Sequence, residues 1–433
     1  MMSSESHRRA RIDYDWKPAS LIRSKDRVCL FMVNTPLAID KIPMTTPSKL
    51  RFNLFLVLLF LVVTTGPVKV LHSQSNTVQL PKVAGVWDKD RALAWHAQQP
   101  WLVGCNFIPS SAINQLEMWQ SETFDPATID RELGFAKGLG FNSVRVFLHD
   151  LLWKQDSQGF LKRTDEFLKM ADKHGIKTMF VLFDSCWHPI PKLGPQPKPI
   201  PFTHNSGWVQ NPGIEVLKNP EAFPHIKEYV VGVVRHYAND SRVVAWDVWN
   251  EPDNFDGGQD GRPGLEPKNK PELVNAMLPK VFEWVREAKP TQPLTSGVWL
   301  DSHVIDRMYP TKITQLSNSD VISYHCYGDA ESMKLCIDRL GSFGRPLMCT
   351  EFMARPNQST FEPHLEIMKK SKVGSYMWGF VNGKSQTIYP WDSWQKKYSS
   401  EPEVWFHDVL RQDGSAYKKE EVQYIQRITS EKP

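Results

Sequence analysis

The sequence predicts an α/β protein, a single (β/α)8 (TIM) barrel behind an N-terminal signal segment. Three observations point there. Short apolar runs of strand length recur along the chain, separated by stretches whose apolar residues repeat at helical spacing. The runs are apolar on both faces, as in strands of a buried parallel sheet. Two of them end in a glutamate, Glu251 and Glu351, 100 residues apart. A strand–helix unit takes roughly 30 or more residues, so that interval holds about three units of one barrel.

The first apolar run is not part of the barrel. Leu54–Val63 follows Lys49 and Arg51 and precedes Thr64-Thr65-Gly66-Pro67. A basic flank and a short apolar core read as a secretory signal, not a full membrane span. The run begins late, and Met44 offers an internal start. Residues 1–43 are then a mis-called start or disordered extension, and 44–75 a signal peptide cleaved near Ser73–Ser75. Uncleaved, the run would be a signal anchor and the one expected membrane contact. A secreted or periplasmic location is expected. Residues 76–97 read as a connector with a short helix at Asp88–Trp95, 98–412 as the barrel, and 413–433 as a polar, frayed tail.

Within the barrel, the first strand is Trp101–Asn106, followed by a loop carrying Asn114, Glu117 and Trp119. Asp125 caps a helix and Pro126 fits its first position. Ile129, Leu133 and Ala136 form its apolar face, and Gly140 ends it in a left-handed conformation. The second and third strands, Phe141–Leu148 and Lys177–Asp184, start 36 residues apart, with a helix at Thr164–His174 closed by Gly175. Seven prolines between 185 and 213 exclude helix and strand. This stiff loop leaves the carboxyl end of the third strand and should wall a cleft. A helix at 221–238 leads to the fourth strand, Val243–Trp249, which Pro252 terminates. After the Gly- and Asp-rich loop Asp253–Lys270, Pro271 opens an amphipathic helix through Val274, Met277, Leu278, Val281 and Val285. The fifth strand is Leu294–Leu300 and the sixth Val321–Tyr327. The seventh ends at Glu351. The eighth is Ser375–Val381, with Asn382, Lys384, Gln386, Trp391 and Trp394 in its loop. A last helix near 402–411 closes the ring.

Composition narrows the function. The 433 residues carry a net charge of +4. Residues 1–75 hold 11 Lys/Arg and 5 Asp/Glu, so the rest of the chain is slightly acidic. No basic stripe points to nucleic acid. Beyond Cys29, five cysteines remain, an odd number and no disulfide framework. There is no CxxC or HExxH pattern, so neither metal nor cofactor is expected. Sixteen tryptophans supply flat apolar faces with a polar edge, suited to stacking on sugar rings. A monomer is expected.

In parallel barrels, carboxyl ends of strands carry the chemistry. Glu251 and Glu351 can then face each other across the mouth, and paired carboxylates flanking one bond are what glycoside hydrolysis requires. Trp249-Asn250-Glu251-Pro252, His325-Cys326-Tyr327, Thr350-Glu351-Phe352 and Trp378, with Arg145 upstream in Val144-Arg145-Val146, resemble glycoside hydrolase family 5 in order and spacing. This is the cellulase family, among the clan A retaining glycosidases. The resemblance covers about residues 98 to 412. It implies that Glu251 is the acid/base and Glu351 the nucleophile. It implies Tyr327 as hydroxyl donor to Glu351, Asn250 on the sugar 2-hydroxyl, His325 on the wall near Glu251, and Trp378 under the reacting sugar. Arg145 is the expected positive neighbour of Glu351, since an arginine in an apolar strand needs a partner. The family usually has a histidine just after the third strand. Here it comes late, so either His188 or Asp184 would take that place. The expected partner is an oligo- or polysaccharide of β-1,4-glucan, xylan or mannan type, cleaved by double displacement. A barrel that binds carbohydrate without cleaving it, or a transglycosidase, are the alternatives.

Overall fold

The computed structural model describes residues 82–255, 264–299, 302–305 and 307–431. The signal-like run, its flanks and residues 1–75 lie outside them. Among the described residues no helix is long and apolar enough to cross a membrane. Eight parallel strands form one sheet: β1 Val103–Asn106, β2 Ser143–Phe147, β3 Lys177–Val181, β4 Val243–Asp247, β5 Leu294–Thr295, β6 Ile322–His325, β7 Leu347–Phe352 and β8 Gly374–Met377. The order is β5-β4-β3-β2-β1-β8-β7-β6. Val298 closes the ring: its N–H donates to Ser323 O at 2.9 Å and its carbonyl accepts from His325 N at 2.9 Å. The expected (β/α)8 barrel is therefore the fold.

The inner layer at the barrel floor holds Leu102, Met179, Val244, Val321, Met348 and Tyr376, with the Tyr376 hydroxyl 2.8 Å from Ser143 Oγ. The outer faces of the strands pack on the helices through residues such as Val144, Val146, Trp246 and Cys349. Helix Pro126–Gly138 starts as its sequence requires: Asp125 accepts from Thr128 N, and Pro126 occupies the first turn. Gly140 follows with φ 76°. The helix expected at Thr164–His174 is the second part of a longer element, Asp150–Lys173, kinked at Asp156.

Two expectations at the C-terminal end are corrected. Residues 402–411 are not helical. Their N–H groups bond outside the segment, Phe406 to Ile388 O, His407 to Thr387 O, and Val409 and Leu410 to Phe380 O, and Arg355 donates to the carbonyls of Trp405, His407 and Asp408. The tail is not frayed: Lys419–Ser430 is a helix that buries Tyr424, Ile425 and Ile428 and packs on helix Phe361–Lys370. The fifth strand is also shorter than expected, two residues plus the Val298 bridge.

Candidate active site

The site is built on a buried arginine. Inward positions alternate along a strand, so β2 points Ser143, Arg145 and Phe147 into the barrel. Arg145 is fully buried, which requires that its donors be satisfied. Nε and Nη2 donate to Asp247 Oδ2 at 3.1 and 2.7 Å. Nη1 donates to Asn106 Oδ1 at 2.7 Å and Glu351 Oε1 at 2.9 Å. Nη2 also donates to Asn250 Oδ1 at 2.6 Å. One guanidinium thus orients groups from β1, β4 and β7 together.

Glu351 reaches this position through an irregularity in β7. Tyr324 pairs with Cys349 and the next residue, His325, with Glu351. Thr350 is therefore an extra residue, and the bulge turns Glu351 inward, off the outward face that Cys349 occupies. Its second oxygen, Oε2, accepts from the Tyr327 hydroxyl at 2.7 Å. Glu251 follows β4 with a left-handed φ of 43°. Its Oε1 is 2.6 Å from His325 Nδ1. Its Oε2 accepts from Asn254 Nδ2 at 2.6 Å and from the Cys186 thiol at 3.2 Å. One oxygen of Glu251, one of Glu351 and a ring nitrogen of His325 lie within 4.8 Å of one another.

Burial sets the protonation balance. It pushes both carboxyl groups above the ordinary range. For Glu351 the charge of Glu251 adds to that push, while His325, Arg145 and the Tyr327 hydroxyl oppose it. For Glu251 the opposing groups are Asn254, Cys186 and, at a distance, Arg145. Arg145 bonds Glu351 and not Glu251, so the two carboxyl groups have unlike neighbours. Burial pushes His325 down to about 4, so its ring is neutral near pH 7. His325 Nε2 has no partner among the described residues. Two carboxylates and an imidazole this close also form a donor set that could take a divalent cation. Arg145 already supplies Glu351 with positive charge.

Above these groups lies a cavity of about 410 Å³ lined by Glu251, Glu351, Asn250, Tyr327 and Cys186, with Trp187, Trp299, Trp378 and Trp391 as aromatic walls. Glu251, Glu351, Asn250, Arg145, His325, Tyr327 and Trp378 are brought together as the sequence suggested. His188 is not. Its Nδ1 accepts from Ile190 N at 3.1 Å, and it does not line the cavity. Asp184, the alternative, accepts from Asn250 Nδ2 at 2.9 Å and Trp208 Nε1 at 2.6 Å.

A model of the cellulase family, glycosyl hydrolase family 5, matches residues 105–397. The chain belongs to glycosyl hydrolase family 5. A stretch of 92 residues is 29% identical to mannan endo-1,4-beta-mannosidase A of Emericella nidulans, covering 21% of this chain and 22% of that relative. The fold is similar to an exo-beta-1,4-mannosidase of Opitutaceae bacterium strain TAV5, at 19% identity and TM-score 0.51 over 76% of this chain and 59% of the other. It is also similar to a GH5_18 protein of Streptomyces cattleya, solved in complex with GlcNAc, at 14% identity and TM-score 0.50 over 77% and 81%.

Within this family-5 barrel, sequence reasoning missed several site residues, Asp247, Cys186, Asn254 and Trp299 among them. Asp247 carried a signal, an acid inside the apolar run before Asn250. Cys186, Asn254 and Trp299 carried none, because they reach the cavity from loops whose path only the packed structure fixes.

Proposed function

We propose that the protein is a retaining β-glycosidase that cleaves β-linked glycans, with Glu351 as nucleophile and Glu251 as acid/base. The observation that carries this is the closeness of two carboxyl groups held in different environments. A water-sized gap of the inverting kind would need roughly 6.5–9.5 Å between them, whereas direct attack suits about 5–5.5 Å. One oxygen of each lies within 4.8 Å of one oxygen of the other, a nearest approach that favours the closer arrangement. Glu351 attacks the anomeric carbon while Glu251 gives its proton to the departing oxygen. Glu251 then takes a proton from water, whose oxygen displaces Glu351 from the same carbon. Arg145 and Tyr327 hold the nucleophile ionised and aimed. Asn250, fixed between Arg145 and Asp184, faces the sugar 2-hydroxyl, and Trp378 lies beneath the ring. Mannose-type linkages are the first substrates to test, because the curated relative is a mannanase. The apolar run Leu54–Val63 supports export as the route to such a substrate.

The test separates the two glutamates. Glu351→Ala should abolish turnover of nitrophenyl β-glycosides. Glu251→Ala should spare activated aryl glycosides far more than oligosaccharides, because a good leaving group needs little protonation. Equal losses on both substrate types would refute the assignment.

A further inference from the structure

The loop after β3 does more than border the cavity. It crosses the mouths of β2 and β1 and is laced to the loop after β8. Phe202 N donates to Gln386 Oε1 at 2.9 Å, and Gln386 Nε2 returns bonds to the carbonyls of Ile200 at 2.7 Å and Thr203 at 3.1 Å. Asn205 N donates to Ser385 O at 2.9 Å. His204 N donates to Ser393 Oγ at 3.0 Å, and Trp394 Nε1 to His204 O at 2.9 Å. Trp187 stacks on Trp394 at 5.9 Å between ring centroids. The loop after β1 fills in below. Asn114 Nδ2 bonds Gly207 O and Gln115 Nε2 bonds Val209 O, both at 2.8 Å, and Lys384 pairs with Glu117 at 2.5 Å. Backbones meet closely here: a Cβ on Gly383 would stand 2.4 Å from Ser110 Cα.

This wall stands on one side of the reacting bond. Glu251 must reach the departing oxygen, so the leaving group lies toward its neighbours Asn254, Phe255 and Trp299. The sugar that bonds Glu351 lies on the other side, over Trp378 and against His204 and Asn205, all of which line the cavity. A chain continuing past that sugar would have to pass through the laced loops. Asn205 stands in the wall with an unusual feature. It is 1% exposed, and neither its amide nitrogen nor its amide oxygen has a partner among the described residues. A buried amide left bare is unfavourable by itself. Both amide atoms are closed off from solvent, so Asn205 belongs to the body of the wall.

We propose that the wall makes the enzyme exo-acting: it admits only the terminal sugar at the non-reducing end of a β-linked chain. This rests on the glycosidase reading above and deepens it. The first arm uses a reducing-end-labelled β-1,4-manno-pentaose at low conversion. The expected products are monosaccharide and labelled tetrasaccharide; labelled di- or trisaccharide appearing at the same time would overturn the proposal. The second arm is calorimetry on Glu351→Ala with an oligosaccharide whose terminal 4-hydroxyl carries a bulky ether. It should bind about tenfold more weakly, or worse, than the uncapped chain; equal affinity overturns the wall whether or not the wild type hydrolyses anything. Absence of all hydrolysis with that binding difference intact would sink the glycosidase reading and leave the wall standing.

Discussion

At the scale of single residues, the site works by giving two like groups unlike neighbours. In the proposed roles Glu351 must be ionised to attack, and its carboxyl is pushed above the usual range by burial. Activity should therefore fall on the acid side at a pH above that of a free glutamate, and on the alkaline side as Glu251 loses its proton. The two limbs belong to the pair, not to either group alone. The Tyr327 hydroxyl opposes the upward push on Glu351. Tyr327→Phe should move the acid limb to higher pH and lower kcat roughly ten- to a hundredfold, as expected for a hydrogen bond to a charged group. A pH–rate profile with an unmoved acid limb would refute this role. Cys186 gives a second residue-scale prediction. Its thiol is 3.2 Å from Glu251 and half-buried, while the other described cysteines are buried. Burial first, then the charges of Glu251 and Asp184, push it well above its ordinary value. Iodoacetamide should inactivate slowly, faster as pH rises, and substrate should protect. Cys186→Ser should stay active and resist; inactivation of that variant at the wild-type rate would place the reactive group elsewhere.

At the scale of elements, geometry depends on departures from regularity. The β7 bulge aims Glu351 inward, and the left-handed Glu251 turns its side chain off the end of β4, a conformation that costs of order 1–3 kcal/mol and persists only where packing enforces it. The C-terminal helix Lys419–Ser430 is another element whose weight the structure reveals. Ile425 is fully buried within it. Ile425→Ala should lose about 2–5 kcal/mol in denaturant unfolding. A loss under about 0.5 kcal/mol, the usual range for surface substitutions, would mean that the helix does frayed-tail duty after all.

For the whole molecule, the laced loops make one buried polar seam across the mouth, and His204 lies in it. Burial pushes its pKa down to about 4. In the unfolded chain a histidine takes up its proton near 6.5. Between these values the unfolded state binds a proton that the folded state does not, so stability falls as pH drops from about 6.5 to 4 and the His204 contribution is flat outside that window. Buried groups shifted the other way, such as Asp408 at about 6, act oppositely, so the comparison must be with a variant. His204→Asn keeps a donor for the Tyr389 carbonyl, 2.8 Å from Nδ1, and should flatten the fall in Tm across that window. Parallel Tm–pH curves for the two proteins would refute it.

The sequence by itself determined the repeat of strands and helices, the two glutamates at strand ends, and the aromatic and arginine partners around them. These follow from local rules: apolar period, caps, prolines, and the need of a buried charge for a counterion. The tertiary structure alone decided the rest. Strand parity would have pointed Glu351 outward, and only pairing with β6 and β8 makes the bulge that turns it in. Residues 402–411 are not the helix that local pattern suggests because their N–H groups bond Ile388, Thr387 and Phe380, outside the segment. His188 and Asp184 were indistinguishable by position, and the path of a proline-rich loop, which has no period, settled which one meets Asn250. Asn205 carried no signal at all, because its meaning lies in a wall built from three loops that meet only when the barrel closes.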